Sequence, residues 1–517
     1  MLKLARTHIL SVALSLALVT ATAGGVQTPL GVSNPAPTAK RNGGAAASAA
    51  ASTSNAAIAR VMAGLKPAIT VKGAAPVVFA LADRLAHYKV PGVSIAVVDH
   101  GRIVWARGIG VKEAGTSDPV TATTLFQAAS ISKPVTATAM LRLVAAGKLA
   151  LDTPVNEYLK SWKLPDNALT ANEAVTLRRI VSHSAGLTVH GFPGYAVTDA
   201  IPTIPQILDG AAPANTAAVR VDAVPGSLSR YSGGGTTIEQ LLMTDVTGEA
   251  FPVLMRQLVL EPSGMTDSGY EQPLPLAKRG REAAGHRADG SMIPGRWHVY
   301  PEMAAAGLWT TPTDLLKWAM QISAARAGRA TSLLPQALAT QMLTAHKGSF
   351  GLGPQVHGSG EGLYFEHGGA NEGFRCQVMY FPESGQGAAV MTNGDSGSGL
   401  ANEILYALAA EYHWSGFAPR LIEPLAVDAA TLEHYAGSYL LAAPDGGAQA
   451  LRITVTRVAE RIFAEAPPFM PRTDLLLLTP DKAVALESGL ELGFGTAADG
   501  TIDRLELAGM TLRREPR

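Results

Sequence analysis

Strand-forming sequence at two widely separated places brackets a helix-rich middle, and no other feature constrains the fold as much. Val93-Ser94-Ile95-Ala96-Val97-Val98, the turn Asp99-His100-Gly101 and Arg102-Ile103-Val104-Trp105-Ala106 read as a hairpin of two apolar strands. Strand signals return between Gly362 and Thr392, with Pro382-Glu383-Ser384-Gly385 as one turn. Strands at both ends with helices between them predict one α+β unit whose sheet joins the two ends. From Val427 the pattern changes. Leu451, Ile453 and Val455 alternate with Arg452, Thr454 and Thr456, while Asp445-Gly446-Gly447, Pro480-Asp481 and Asp499-Gly500 punctuate short strands. Residues 427–517 are therefore expected to close into a small β-barrel without a catalytic cluster of its own.

A length of 517 residues allows two or three domains. Lys3 and Arg6, the apolar run from Ile9 to Val19 and Ala21-Thr22-Ala23 form the three-part pattern of a secretory signal, so residues 1–23 predict export to the periplasm or medium. Residues 24–57 are mostly Ala, Gly, Ser, Thr, Pro and Asn, too poor in large apolar groups to offset the entropy of ordering, and read as a disordered linker. Helical spacing begins near Ile58 with Val61 and Leu65, which places the main domain at 58–418.

The 42 Lys and Arg balance 42 Asp and Glu, and no basic run supplies the footprint of a nucleic-acid binder. The single cysteine, Cys376, excludes an intrachain disulfide framework and any cysteine-rich metal site. It lies in an apolar run and reads as a small buried hydrophobe.

The candidate chemistry centres on Ser130-Ile131-Ser132-Lys133, followed by Val135, Ala139, Met140, Leu143 and Val144 at helical spacing until Gly147. Residues three apart share a helix face, so the Lys133 amine can reach the Ser130 hydroxyl, a poor nucleophile until a base takes its proton. Ser-x-x-Lys arises by chance roughly once in a chain with this much Ser and Lys, and the tetrapeptide alone favours Ser130 as a mere helix cap. Neighbouring motifs must decide.

They do so in order. Gly147-Lys148-Leu149-Ala150-Leu151-Asp152-Thr153-Pro154-Val155 with Tyr158-Leu159, Ile180-Val181-Ser182-His183-Ser184-Ala185-Gly186-Leu187, Tyr231-Ser232-Gly233, Ala305 to Leu315 and His367-Gly368-Gly369 follow the helix. With these motifs the chain from about Ile58 to Trp414 resembles the serine β-lactamase and penicillin-binding-protein superfamily, particularly class C β-lactamase-like esterases and D-amino-acid peptidases. The resemblance implies an antiparallel sheet flanked by helices, with an all-helical subdomain.

It also implies roles. Ser130 is the nucleophile, and Lys133 and Tyr231 are the candidate bases, the residues leaving open which takes the proton. The amides of Ser130 and Ala370 form an oxyanion hole, where each donor is worth about 10²–10³ in rate. Gly368 and Gly369 clear a strand edge for substrate. Gly233 stands where the family usually has asparagine, and the run Gly233-Gly234-Gly235 is expected to leave room for a bulkier acyl group or a water. His367 replaces the lysine of K-T-G and, neutral near pH 7, removes a charge aimed at a substrate carboxylate. His183 reads as a turn brace, and the stretch from His190 to Pro225 as an irregular substrate-facing wall.

The expected activity is hydrolysis of a small ester or peptide through an acyl-enzyme, with no cofactor or metal, no nucleic-acid partner and no membrane span after signal cleavage. The rival readings are a penicillin-recognising sensor without turnover and a true β-lactamase or DD-peptidase. Thr311-Pro312-Thr313-Asp314 has the cap, proline and acid of a helix start rather than a chemical role.

Overall fold

The computed structural model describes residues 54–331, 333–441, 451–467 and 470–516. The expected signal and the turn Asp445-Gly446-Gly447 lie outside the described residues, as does the expected linker up to residue 53. The last four residues assigned to that linker belong instead to a helix spanning 54–63. Ala57, Val61 and Leu65 are buried along this segment, so the return of apolar residues starts the fold earlier than the composition suggested.

The two strand blocks meet in one sheet. The hairpin consists of β1 (Gly92–Asp99) and β2 (Arg102–Gly110), and the later block of β3 (Gln355–His357), β4 (Tyr364–Asn371), β5 (Phe374–Phe381) and β6 (Gln386–Thr392). The order is β2-β1-β6-β5-β4-β3, with β1 antiparallel to β6 from Val93 opposite Thr392 to Val98 opposite Gly387. Val93, Ile95 and Val97 enter one core cluster and Ala96 and Val98 another. Both faces of the strand are covered, which is why its sequence is a continuous apolar run instead of an alternation.

Four longer helices flank the sheet or build the helical half: α1 (Ser132–Ala145), α2 (Gly233–Thr247), α3 (Pro312–Arg326) and α4 (Gly397–Tyr412). Helix α3 packs on β1, β5 and β6, and α4 also packs against β5 and β6. Thr311 caps α3 by accepting a hydrogen bond from the Asp314 amide at 3.2 Å, with Pro312 opening the helix. Nearly all of α1 is buried, as expected of a helix enclosed within a helical layer. The stretch from His190 to Pro225 is more ordered than its composition suggested, holding a helix at Ile204–Asp209 with a Thr203–Gln206 capping box.

The C-terminal strands form a closed barrel of eight, from Gly437–Leu441 to Met510–Arg514, the first and last pairing through Tyr439 opposite Arg514. Leu451, Ile453 and Val455 point into its core. The barrel is fastened to the main domain. Ile69–Val71 pairs in parallel with Arg420–Ile422, and Ile69 and Ile422 cluster with Val484 and Leu486 of the barrel.

Beside this contact lies a buried ion cluster: Arg84 meets Glu403 of α4 at 2.6 Å and the barrel's Glu487 at 3.0 Å, and Tyr88 donates to Glu403 at 2.8 Å. The Glu403 side chain is fully buried. Breaking a buried pair from one side strands the other charge, which is costlier than removing both. Arg84→Met is therefore expected to destabilise the protein by about 3 kcal/mol, measured by chemical denaturation, whereas removing both charges in Arg84→Met/Glu403→Leu costs less than the single change.

Candidate active site

The site begins where the short strand Phe126–Gln127 turns into α1. Gln127 pairs with Trp309, and Ala129–Ile131 make one 3₁₀ turn before the helix starts at Ser132. Ala129 takes φ of +50°, a left-handed conformation that costs a residue with a Cβ about 1–2 kcal/mol. Ser132, not Ser130, ties this turn together: its Oγ donates to the Ala129 carbonyl at 2.5 Å and accepts from the Leu308 amide at 3.0 Å. Ser130 makes no capping bond, and its side chain is left half-buried beside Lys133.

Lys133 Nζ lies 3.0 Å from Ser130 Oγ and donates to the Ala305 carbonyl at 2.9 Å. The segment that carries this carbonyl is tied to α2, whose Gln240 donates to Pro301 O and accepts from the Ala304 amide. Its role passes unseen in the sequence because a carbonyl works through the backbone and leaves no side-chain signal. Burial pushes the Lys133 pKa down to about 7, since an ammonium loses its hydration here and no carboxylate among the described residues pairs with it.

Tyr231 immediately precedes the cap of α2. The Ser232 amide donates to His183 Nδ1 at 3.2 Å, and Ser232 Oγ accepts from Gly235 N at 3.0 Å, which fixes the backbone on both sides of the ring's attachment. The His183 ring packs on Tyr231 with centroids 4.3 Å apart, and Phe350 closes behind at 6.0 Å. Lys133 Nζ lies 4.9 Å from the centre of the phenol ring. The phenol oxygen is buried and close enough to Ser130 for the serine to pull its pKa down, and it has no hydrogen-bond partner among the described residues. Burial dominates and raises the phenol pKa well above its ordinary value, so Tyr231 is protonated at neutral pH.

His367 stands on β4, its ring centroid 6.1 Å from that of Tyr231. Burial first, and the Lys133 charge second, push its pKa down to about 3. Its Nδ1 lies 2.6 Å from the Gly368 carbonyl, which can only accept, so Nδ1 carries the proton and the buried Nε2 is bare. Burial thus favours the neutral imidazole.

β3 pairs with β4 only as far as Glu366, so from His367 onward that edge of β4 has no strand partner among the described residues. The turn before Ser130 approaches it closely. A Cβ on Gly369 would sit 2.2 Å from the Ala128 carbonyl, which accounts for glycine there. Asn371 donates to Gln127 Oε1 at 2.7 Å, and Ala370, between these two contacts, is partly open. On Gly368 a Cβ would meet Gln377 Oε1 of the adjoining strand at 2.8 Å.

Gly233 departs from expectation. The space left by its missing side chain is occupied, with a Cβ placed there 3.0 Å from both the His190 carbonyl and Phe192 Cε2, and one on Gly234 2.7 Å from Val219. The glycines let residues 188–192 close onto α2 instead of opening a recess for an acyl group or a water. Cys376 is buried, its Sγ donating to the Gln127 carbonyl at 3.2 Å, with burial raising its pKa to about 12. An unreactive thiol in the wall of the site fits its reading as packing.

A family model described as beta-lactamase matches residues 78–411. Esterase EstB of Burkholderia gladioli is 29% identical over 53% of this chain and 74% of its own length. Penicillin-binding protein 4 of Amycolatopsis lactamdurans is 28% identical over 68% of this chain and 93% of its own. Among solved structures, the octameric penicillin-binding protein homologue from Pyrococcus abyssi superposes with a TM-score of 0.57 over 84% of this chain and 98% of that one, a likeness of fold at 24% identity.

Proposed function

The chain belongs to the beta-lactamase family of serine hydrolases, and on that premise we propose that it cleaves a small ester or amide through an acyl-enzyme on Ser130. The observation that carries the proposal is the buried Lys133 amine 3.0 Å from Ser130 Oγ, with a pKa low enough to be half deprotonated at neutral pH. Ser130 Oγ attacks the acyl carbon as its proton passes to Lys133, and the carbonyl oxygen becomes an oxyanion beneath the amides of Ser130 and Ala370. The proton on Lys133 leaves with the departing alcohol or amine. In this scheme the protonated Tyr231 hydroxyl, close to Ser130, relays it. Water then attacks the acyl carbon as Lys133 takes its proton, and that proton passes to Ser130 Oγ as the bond between Oγ and the acyl carbon breaks and the acid departs.

The lysine and not the tyrosine is the base in this scheme, because burial drives their pKa values in opposite functional senses: it frees the amine of its proton and fixes the proton on the phenol. The substrate side follows from His367 and Gly233. A neutral imidazole offers a carboxylate no charge, and the filled space at Gly233 has no side-chain amide for an acylamino carbonyl. Esters and amides without a carboxylate beside the scissile bond are preferred over penicillins.

Release of p-nitrophenol from a short-chain ester tests this. Many equivalents per chain are expected, with hydrolysis of a carboxylate-bearing β-lactam slower by about tenfold to a hundredfold, the worth of one charge-assisted hydrogen bond. A single stoichiometric burst would point instead to a sensor. Export is proposed from residues 1–23, and the N-terminus of the protein recovered from its native host tests it.

A further inference from the structure

A cleft of about 200 Å³ lies between the segment 66–77 and the barrel, sharing no residue with the Ser130 site. Its floor is apolar, formed by Ile69 and Val71 from the main domain and Leu476 and Leu486 from the barrel. At its rim Val77 is 43% exposed, an apolar group left in water by the described fold. A dry apolar cavity of about 150 Å³ admits a molecule the size of benzene, so this cleft holds a six-carbon ring or a chain of similar bulk.

The charges are arranged unequally. Arg461 and Asp474 of the barrel line the cleft as an ion pair and neutralise each other. The barrel's Glu487, next to Leu486, and the α4 residue Glu403, whose carbonyl accepts from the Lys66 amide, are both taken by Arg84. Lys66 itself lines the cleft half-buried and makes no ion pair with any described residue. An apolar floor with one uncompensated ammonium complements one kind of small molecule.

We propose that this interdomain cleft binds a compact apolar monocarboxylate, its hydrocarbon body against Ile69, Val71, Leu476 and Leu486 and its carboxylate on Lys66. Both domains contribute to the floor, so an occupant bridges them and tightens the junction already made by the Arg84 cluster. Ester hydrolysis produces carboxylic acids, but the inference stands on the cleft alone and does not need the activity proposed above.

Calorimetric titration of the full chain with cyclohexanecarboxylate tests it, before and after treatment with a fluorophosphonate so that binding at the catalytic site is separated. The expected result is one saturable equivalent, unchanged by that treatment and weakened about tenfold or more both in Lys66→Met and for the neutral cyclohexylmethanol. Leu476→Trp, which fills the floor, removes it. Chemical unfolding curves with the parent's cooperativity show that both variants are folded. Equal affinity for the neutral alcohol, affinity unaffected by either substitution, binding lost on fluorophosphonate treatment, or no binding up to about 10 mM would each overturn the proposal.

Discussion

Ser130→Ala lowers kcat/KM for a p-nitrophenyl ester by about 10⁴-fold or more and abolishes labelling by a fluorophosphonate, while leaving the fold intact. The size of the loss follows from nucleophilic catalysis: without the hydroxyl there is no acyl-enzyme, and only the oxyanion amides and substrate binding persist. The intact fold follows from the division of labour in the turn. Ser132 makes the contacts to Ala129 and Leu308, Lys133 keeps its bond to the Ala305 carbonyl, and Ser130 Oγ contributes no cap. Unfolding curves of the variant and the parent are expected to coincide. Persistent labelling would place the nucleophile elsewhere, and a collapsed fold would mean that Ser130 is structural.

Lys133→Met is expected to cost about 10²–10⁴ in kcat, the contribution of a positioned base, without destabilising the protein. Methionine fills a similar volume and removes an amine whose charged form the interior disfavours. The sign of the pH dependence separates this from simple damage. The lysine has a pKa near 10.5 in the unfolded chain and about 7 when folded. Between these values the unfolded chain binds the proton that the folded one lacks, so stability rises with pH across that window, and the penalty for burying the ammonium is fully present below it. The methionine variant loses this increment, and its denaturation midpoint is flatter over the same range. Equal slopes in the two proteins would show that Lys133 is not the group being desolvated.

What could be read from sequence was local. The hairpin from Gly92 to Gly110, the capped start of α3 at Thr311 and the Ser130–Lys133 pairing each depend on residues within a few positions, and the structure places all of them as expected. The joining of the two strand blocks was legible as well, because strands that bracket a helix-rich stretch fold as one α+β unit by sharing a sheet. The contents of space were not legible. A missing side chain at Gly233 looked like room, whereas the His190 carbonyl and Phe192 occupy it. Arg84, Glu403 and Glu487 are scattered charges in sequence and a single buried cluster in three dimensions. The carbonyl of Ala305, which steadies the lysine, belongs to a residue whose side chain carries no chemistry.

The most direct test of the account is the rate at which a fluorophosphonate acylates Ser130 as a function of pH, from about 5 to about 10, because this step needs only the nucleophile and its base. A buried amine acting as base predicts a sigmoidal rise with a midpoint close to 7, where the neutral form of Lys133 appears, and its disappearance in Lys133→Met. A rate that is flat through neutrality and climbs only near the ordinary pKa of a lysine or a phenol would contradict the assignment of Lys133 as the group that activates Ser130.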